Sequence, residues 1–99
     1  MNLTIKDSNI KEKRFTAIFK DKNNKVIKTT HFGLKNPKIG TYIDHKNKEI
    51  RKNYRKRHKR DLDTDDFKRA GYLSYYILWG DKDNLKDAIE DYKKKFKLK

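Results

Sequence analysis

The run of residues 67–80, FKRAGYLSYYILWG, is the stretch of this chain that is apolar enough to organise a core. At helical spacing its apolar side chains cover most of the circumference, which is typical of a helix contacted on several sides. We therefore predict a central helix over residues 64–79, around which the other segments pack as amphipathic covers. Gly80 is expected to close this helix as a left-handed C′ residue, and Asp81 or Asp83 to cap the helix that follows.

Residues 61–66, DLDTDD, carry an entry signal for the central helix. With Asp63 as the N-cap, Asp66 falls at the third helical position, and Leu62 and Phe67 take the two positions of a hydrophobic staple. Carboxylates at this end also suit the positive end of the helix dipole. The acidic segment therefore predicts where the helix begins.

The length and composition of the chain predict one folded domain, residues 1–99, without disulfides, since the sequence has no cysteine. A charged content of 42% indicates disorder when apolar residues are scattered, but here they cluster in periodic segments. No segment reaches the roughly 18 apolar residues of a membrane span, and the start of the chain lacks the apolar block of a secretory signal. We therefore expect an intracellular protein.

Residues 13–32 are predicted to form an antiparallel β-hairpin. The first strand, KRFTAIFK over residues 13–20, alternates apolar side chains with the period of two expected for a strand covered on one face. Residues 21–24, DKNN, favour a turn because Asp and Asn accept left-handed backbone angles. Residues 26–32, VIKTTHF, are rich in β-branched side chains and predict the returning strand.

Four further segments complete the expected fold. Residues 1–10 are interpreted as a candidate edge strand, and residues 42–45 as either a short strand or the entry to the next helix. Strong helix formers without a breaker predict a basic helix over residues 46–59. An apolar stripe at helical spacing predicts a C-terminal helix over residues 84–96. The predicted fold class is α+β, with a hairpin, extended by up to two short strands, packed on three helices.

The net charge of +14 is distributed unevenly along the chain. Residues 1–45 carry +6, residues 46–60 carry +8, residues 61–91 carry −5 and residues 92–99 carry +5. A lysine-rich codon bias would spread the charge evenly, so this alternation favours a directed surface, although a purely solubilising role stays open. The candidate partners of such a surface are nucleic acid, an anionic lipid surface and an acidic protein.

The basic segment 46–60 is the sharpest candidate for a binding surface. As a helix of about 20 Å it would present positive charge over most of its circumference and neutralise several phosphates at once. The chain carries no helix-turn-helix signature, zinc ligand set or RNA-binding aromatic motif, so we expect binding without strong sequence preference. The predicted nucleic-acid-binding residues are Lys46, Lys48, Arg51, Lys52, Arg55, Lys56, Lys59 and Arg60. Supporting contacts are expected from Lys20, Lys22, Lys25 and residues 93–99.

Two other sets of residues carry weaker hypotheses. The aromatic residues Tyr72, Tyr75, Tyr76 and Trp79 are of the type that stacks on unpaired bases. Aromatic residues at helical spacing in a small domain are more often packing groups, so a core role is the favoured interpretation.

The three histidines, His31, His45 and His58, are candidate metal ligands, and Asp44 adds a carboxylate beside one of them. A hairpin followed by a helix is the layout of some metal-dependent nucleases. The spacings match no metal motif, so a nuclease is the weakest of the functional hypotheses.

Several strings of the sequence resemble a family of small, basic, uncharacterised proteins of nucleocytoplasmic large DNA viruses that infect algae and amoebae. The strings are His31-Phe32-Gly33, Tyr42 with Asp44-His45, Tyr54 with Arg57-His58, Ala70-Gly71 with Leu73-Ser74 and Ile77-Leu78-Trp79-Gly80, and Leu85, Ile89 and Asp91-Tyr92-Lys93. The resemblance implies a viral product in the host cytoplasm, at the viral factory, or in the virion, near a DNA genome. It implies no catalytic residue and no cofactor.

The sequence therefore predicts a non-catalytic viral accessory protein that binds nucleic acid, DNA rather than RNA, through phosphate contacts. No membrane partner and no cofactor are expected, and homo-oligomerisation stays open. The alternative is a scaffold protein of a virion or replication compartment, in which basic and acidic surfaces of successive copies pair. The weaker alternative is the metal-dependent nuclease.

Overall fold

The computed structural model describes residues 1–35 and 40–99. It has the α+β class that the sequence predicts, with three antiparallel strands followed by helices. Within the described part of the chain, no helix has both the length and the apolar character that crossing a membrane requires.

The N-terminal half forms a three-stranded antiparallel sheet. Its strands are β1 (Asn2–Asp7), β2 (Lys13–Lys20) and β3 (Val26–Leu34), in the spatial order β1-β2-β3. The register places Leu3 opposite Phe19 on one face, and both side chains are buried. The predicted hairpin is therefore confirmed, and residues 1–10 supply the expected edge strand.

The turn between β2 and β3 forms for the reason that its sequence predicts. The Asp21 carboxylate accepts hydrogen bonds from the backbone N–H groups of Asn23 and Lys25, at 2.9 and 3.0 Å. Asn24 adopts a left-handed conformation with φ of 65°, which Asn tolerates better than most residues. These local bonds hold the two strands in register.

In the part of the chain that the structure describes, four helices follow the sheet: α1 (Tyr42–His45), α2 (Lys48–His58), α3 (Ala70–Leu73) and α4 (Leu85–Lys95). A 3₁₀ segment over Lys59–Thr64 continues α2, and a π-helical segment over Ser74–Leu78 continues α3. Residues 42–45 are thus helical, the second of their two sequence interpretations. The predicted helix over residues 46–59 is shorter at both ends, and residues 84–96 form a helix nearly as predicted.

The start of the central helix was predicted wrongly. Asp63 lies inside the 3₁₀ segment, and α3 begins at Ala70 after the N-cap residue Arg69. The Asp66 carboxylate accepts from the backbone N–H of Lys68 at 3.0 Å, so it stabilises a turn instead of a helix end. Short acidic side chains often compete with helix formation through such local bonds.

The central helix ends close to the predicted residue: its π-helical segment ends at Leu78, Trp79 is the C-cap, and Gly80 takes the predicted C′ position. Gly80 lacks the positive φ that is usual for a C′ glycine, whereas Gly33 and Gly40 have one. A Cβ at Gly80 would lie 2.0 Å from the carbonyl oxygen of Tyr76, so close packing of backbone is what requires glycine here. The cap of α4 is Asn84, which accepts from the backbone N–H of Asp87 at 2.9 Å, and not Asp81 or Asp83.

The segment from α3 through the π-helical turn is central, as predicted. Leu73, Ile77 and Leu78 from this segment are fully buried, together with Phe19 and Phe32 of the sheet. The largest fully buried side chain is Tyr92 of α4, whose hydroxyl donates to the backbone carbonyl of Phe67. The core therefore lies between one sheet face and α4, with the residues 70–78 in the middle.

The last residues of the chain pair with the edge strand β1. The N–H of Leu3 donates to the carbonyl of Lys99 at 2.7 Å, and the N–H of Lys99 donates to the carbonyl of Met1 at 3.0 Å. Leu98 is buried in the core cluster. The backbone of residues 98–99 is therefore held against the sheet.

Candidate nucleic-acid interface

Helix α2 begins at a side-chain cap. The carboxamide oxygen of Asn47 accepts from the backbone N–H groups of Glu49 and Ile50, at 3.0 and 3.1 Å. Lys46 precedes the cap in a left-handed conformation with φ of 57°, which separates α2 from α1. Lys46 and Asn47 therefore lie outside the helix that the sequence assigned to them.

Two predicted binding residues, Arg51 and Arg55, lie on the inner face of α2. Arg51 donates to the carbonyl of Gly80 at 3.1 Å and lies over the ring of Tyr42, with its guanidinium carbon 4.4 Å from the centroid. Arg55 donates to the carbonyl of Trp79 at 2.8 Å. Backbone carbonyls at a helix end lack intrahelical hydrogen-bond donors, so these guanidinium groups supply donors to the carbonyls at the end of the central helix.

A carboxylate completes the site around Arg55. The guanidinium donates to Asp81 at 3.0 Å, and this hydrogen bond holds the pKa of the Asp81 carboxyl below its ordinary value. Arg55 also lies over the ring of Tyr75. Arg51 and Arg55 are therefore engaged within the domain, and the structure supports their prediction as phosphate-binding residues less than it supports that of the exposed lysines.

Aromatic rings fill the rest of the inner face. The ring of Tyr54 lies between those of Trp79 and His58, with centroid distances of 4.2 and 4.1 Å. Burial, with a smaller contribution from Asp61, raises the pKa of Tyr54 to about 12. His58 Nδ1 lies 3.1 Å from the carboxylate of Asp61. This face therefore joins α2 to the core by stacking as well as by hydrogen bonds.

The outer face of α2 presents lysines. Lys48, Lys52 and Lys56 recur every four residues, are exposed, and follow one line of about 12 Å along the helix. Within residues 1–35 and 40–99, no carboxylate oxygen lies within 4.0 Å of their ammonium groups. The other exposed basic residues beside this line are Lys46, Arg57, Lys59 and Arg60. We call Lys48, Lys52 and Lys56 the lysine row.

The acidic segments that flank α2 in sequence do not neutralise the lysine row. Asp61 pairs with His58, and Asp66 pairs with Lys68 and Arg69, whose side chains lie outside α2. Asp81 reaches the inner face through Arg55. Folding therefore separates the positive charge of α2 into an engaged inner face and an exposed outer face whose lysines have no carboxylate within 4.0 Å in the described ranges.

The supporting lysines named from the sequence lie on exposed parts of the fold. Lys22 and Lys25 flank the hairpin turn and are exposed, whereas Lys20 is half-buried in β2. In the C-terminal segment, Lys94 and Lys95 are exposed on the last turn of α4. Their side chains are available for contacts with an anion, although the structure does not unite them with the lysine row.

The three histidines have separate local partners. His31 Nδ1 shares hydrogen bonds with the hydroxyls of Thr16 and Ser8, at 2.8 and 3.2 Å, while His45 Nδ1 accepts from the backbone N–H of Asn47 at 2.9 Å. In the described ranges, no group of three or more histidine, aspartate and glutamate side chains is arranged to hold a metal ion.

The aromatic residues named from the central run are packing groups. Tyr72 and Trp79 are buried, and the Tyr72 hydroxyl donates to the carbonyl of Leu62 at 2.6 Å. Tyr76 is half-buried, with its ring near those of Tyr92 and Phe96. Tyr75 is half-buried against the ring of Tyr76. The contacts of these rings therefore favour the packing role over base stacking.

A cleft that sequence reasoning missed opens between β3 and residues 61–71. It has a volume of about 760 Å³, and an adjoining cleft of about 240 Å³ extends from it to Tyr54 and His58. The two share the lining residues Lys13, Asp61, Ala70 and Gly71. No sequence motif marks this cleft, because its walls come from segments far apart in the chain.

The fold and this surface define a small basic α+β domain with an exposed row of lysines on one helix. The chain belongs to a family of unknown function, DUF5754, whose profile matches residues 3–58. The match spans the three strands and ends with the last residue of α2. No curated protein and no solved structure matches the chain.

Proposed function

We propose that this domain binds nucleic acid through phosphate contacts, without strong sequence preference and without catalysing a reaction on it. The observation that carries the proposal is the exposed lysine row on α2, with Lys59 and Arg60 exposed beside it. An ammonium group on a long flexible stem is suited to phosphates as a point charge, whereas bidentate base reading favours Arg.

The polyanion that fits this proposal is DNA in a virus-infected cell. The resemblance to proteins of large DNA viruses supports a product that acts in the host cytoplasm, at the viral factory, or is carried in the virion. The net charge of +14 adds long-range attraction to any nucleic acid there.

The test is the salt dependence of DNA binding by a charge-reversed lysine row. Each phosphate contact to duplex DNA contributes about 0.9 to the slope of log affinity against log salt. Changing Lys48, Lys52 and Lys56 to Glu should therefore reduce the magnitude of the slope by about 2.7 and weaken binding strongly at low salt. Fluorescence anisotropy with a mixed-sequence duplex at several salt concentrations measures both quantities.

A matched control removes the same charge elsewhere. Lys6, Lys11 and Lys86 are exposed, so their triple change to Glu lowers the net charge equally without touching α2. That variant should keep most of the salt slope. If the two triple variants lose the slope equally, net charge rather than the lysine row binds the DNA, and if neither loses it, the lysine row is not the binding surface. A wild type that does not bind DNA would contradict the proposed function.

A second candidate function, a scaffold built from copies of this chain, is favoured by the acidic surface of α4. Asp87, Glu90 and Asp91 line a shallow cleft there with Lys82 and Lys94. The lysine row of one copy has the charge that complements this surface on another. Measuring molecular size against concentration, with and without nuclease treatment, tests it. Self-association that survives nuclease supports the scaffold, and a monomer at all concentrations excludes it.

A further inference from the structure

A ladder of stacked rings leads from the core to the surface beside α2. Trp79 stacks on Tyr54 at 4.2 Å with an interplanar angle of 8°, and Tyr54 stacks on His58 at 4.1 Å with an angle of 21°. Trp79 is buried, but the His58 side chain is 41% exposed. One face of the His58 ring is covered by Tyr54, and its Nδ1 lies against Asp61. The exposed part of the His58 side chain therefore lies away from Tyr54 and from the Nδ1 contact with Asp61.

The adjoining cleft gives this open ring a pocket. The cleft of about 240 Å³ is lined by His58, Asp61, Gly71 and Lys13, and it continues into the larger cleft along β3. A Cβ at Gly71 would lie 2.8 Å from the Asp61 Cβ, so glycine at this position leaves room for the aspartate beside His58. The pocket thus places a flat aromatic surface next to a hydrogen-bond acceptor.

Two lysines line the clefts: Lys13 lines both of them, and Lys28 lines the larger one. Within the two described ranges, neither Lys13 nor Lys28 has a carboxylate oxygen within 4.0 Å. The carboxylates in the clefts are occupied, because Asp61 faces His58 and Asp66 faces Lys68. A phosphate that enters along β3 would therefore meet uncompensated positive charge.

We infer that an unpaired nucleobase stacks on His58 in this cleft, with its neighbouring phosphates on Lys13 and Lys28. The base would continue the stack of rings by one step, and in the bases that carry an exocyclic amino group this group would donate to Asp61, as cytosine donates to carboxylates elsewhere. Every base has a π-face, so stacking of this kind tolerates sequence. A base inside a duplex is stacked on its neighbours and cannot enter. The inference rests on the proposed function and adds a preference for single strands.

The test compares a single strand with a duplex of the same mixed sequence for four proteins: the wild type, His58→Ala, His58→Phe and the control Asn53→Ala, an exposed change on the same helix. The wild type should bind the single strand more tightly. His58→Ala should lose about fivefold or more of the single-strand affinity and leave duplex affinity unchanged, because base stacking on an aromatic ring contributes about that much. His58→Phe, which keeps a flat ring, should retain the preference, as should Asn53→Ala.

A DNA strand of the same length without bases separates the contribution of stacking from that of phosphate contacts. This comparison can be made with the wild type alone, so it does not require that any variant folds. The wild type should bind this abasic strand more weakly than the normal strand, whereas His58→Ala should bind both equally. Equal binding of the two strands by the wild type, or equal losses on strand and duplex in His58→Ala, would overturn the inference.

Failure of the inference is distinguishable from failure of the proposed function. One outcome is that the variant with the charge-reversed lysine row loses DNA binding, while the wild type binds the normal and abasic strands equally. In that case only the single-strand inference is wrong. If the charge-reversed protein binds DNA as the wild type does, the lysine row is not the binding surface, and if the wild type does not bind DNA, the proposed function is wrong. Preferential binding of an aromatic peptide over the normal strand would assign the cleft to a protein partner instead.

Discussion

The inner and outer faces of α2 carry the same sign of charge in different surroundings. On the inner face, Arg51 and Arg55 donate to backbone carbonyls at the end of the central helix. On the outer face, Lys52 and Lys56 are exposed, and in the described part of the chain no carboxylate contacts them. The fork of a guanidinium group suits fixed acceptors, whereas a hydrated ammonium group favours solvent. A count of positive residues therefore overstates the surface that a polyanion can use.

The largest effect is expected from removing the two inner arginines. The change of Arg51 and Arg55 to Ala should reduce the free energy of unfolding by about 3–5 kcal/mol, because hydrogen bonds from charged groups contribute about 1.5–3 kcal/mol each. The matched change of Lys52 and Lys56 to Ala should stay within about 0.5 kcal/mol of the wild type, as exposed substitutions usually do. Denaturant unfolding measures both, and equal losses would show that the two faces do not differ.

A smaller effect is expected from changing Tyr54, the aromatic residue on the same inner face as Arg51 and Arg55. Tyr54→Ala should cost about 2–3 kcal/mol, less than a fully buried aromatic residue, because the change opens a gap between Trp79 and His58. Tyr54→Phe keeps the ring, and within the described residues the Tyr54 hydroxyl has no protein hydrogen-bond partner, so this variant should unfold like the wild type. A large loss in Tyr54→Phe would mean that the hydroxyl, and not the stacking, holds α2 in place.

The smallest effect is expected from the acidic partner of Arg55. The pKa of Asp81 is lowered by its hydrogen bond to Arg55, so the ionised carboxylate stabilises the fold above its ordinary pKa of about 4, and this contribution is lost as the pH falls below that value. The Asp81 side chain is 69% exposed, so Asp81→Asn should cost only about 0.2–0.5 kcal/mol near neutral pH. Thermal unfolding between pH 3 and pH 7 should show a shallower acid dependence in this variant.

A second carboxylate provides the reference for that measurement. Arg14 bonds both oxygens of Asp44, at 2.7 and 2.8 Å, and this pairing holds the pKa of Asp44 well below its ordinary value. Asp44→Asn should therefore flatten the acid dependence more than Asp81→Asn. The reverse order would show that the Arg55 contact stabilises the ionised form of Asp81 more than Arg14 stabilises that of Asp44.

The elements that the sequence predicted well depend on local chemistry. The hairpin follows from alternating apolar residues and from a turn that Asp21 and Asn24 form by themselves. Helix α4 follows from its apolar stripe, of which Ala88 and Tyr92 are buried. In both cases neighbours within a few residues decide the structure, so the sequence pattern is sufficient.

The features that were predicted wrongly or missed depend on distant contacts. Arg51 bonds a carbonyl 29 residues away and Arg55 one that is 24 residues away, which no spacing along α2 indicates. The beginning of the central helix differs for a local reason as well, because the Asp66 carboxylate accepts from the backbone N–H of Lys68 and stabilises a turn, while the Tyr72 hydroxyl donates to the carbonyl of Leu62 ten residues away. The cleft beside His58 likewise requires β3 and residues 61–71 to be brought together.

The pairing of Leu3 with Lys99 places residues 1–3 beside residues 98–99 at the edge strand of the sheet. Anything joined to either end, such as a tag, a fluorophore or a neighbouring domain, would leave from that edge. A short peptide linker should therefore suffice to connect the two ends, and new termini could be opened at the hairpin turn around Asn23 without crossing the core. Tags on such a permuted chain would leave from the hairpin turn instead of from that edge.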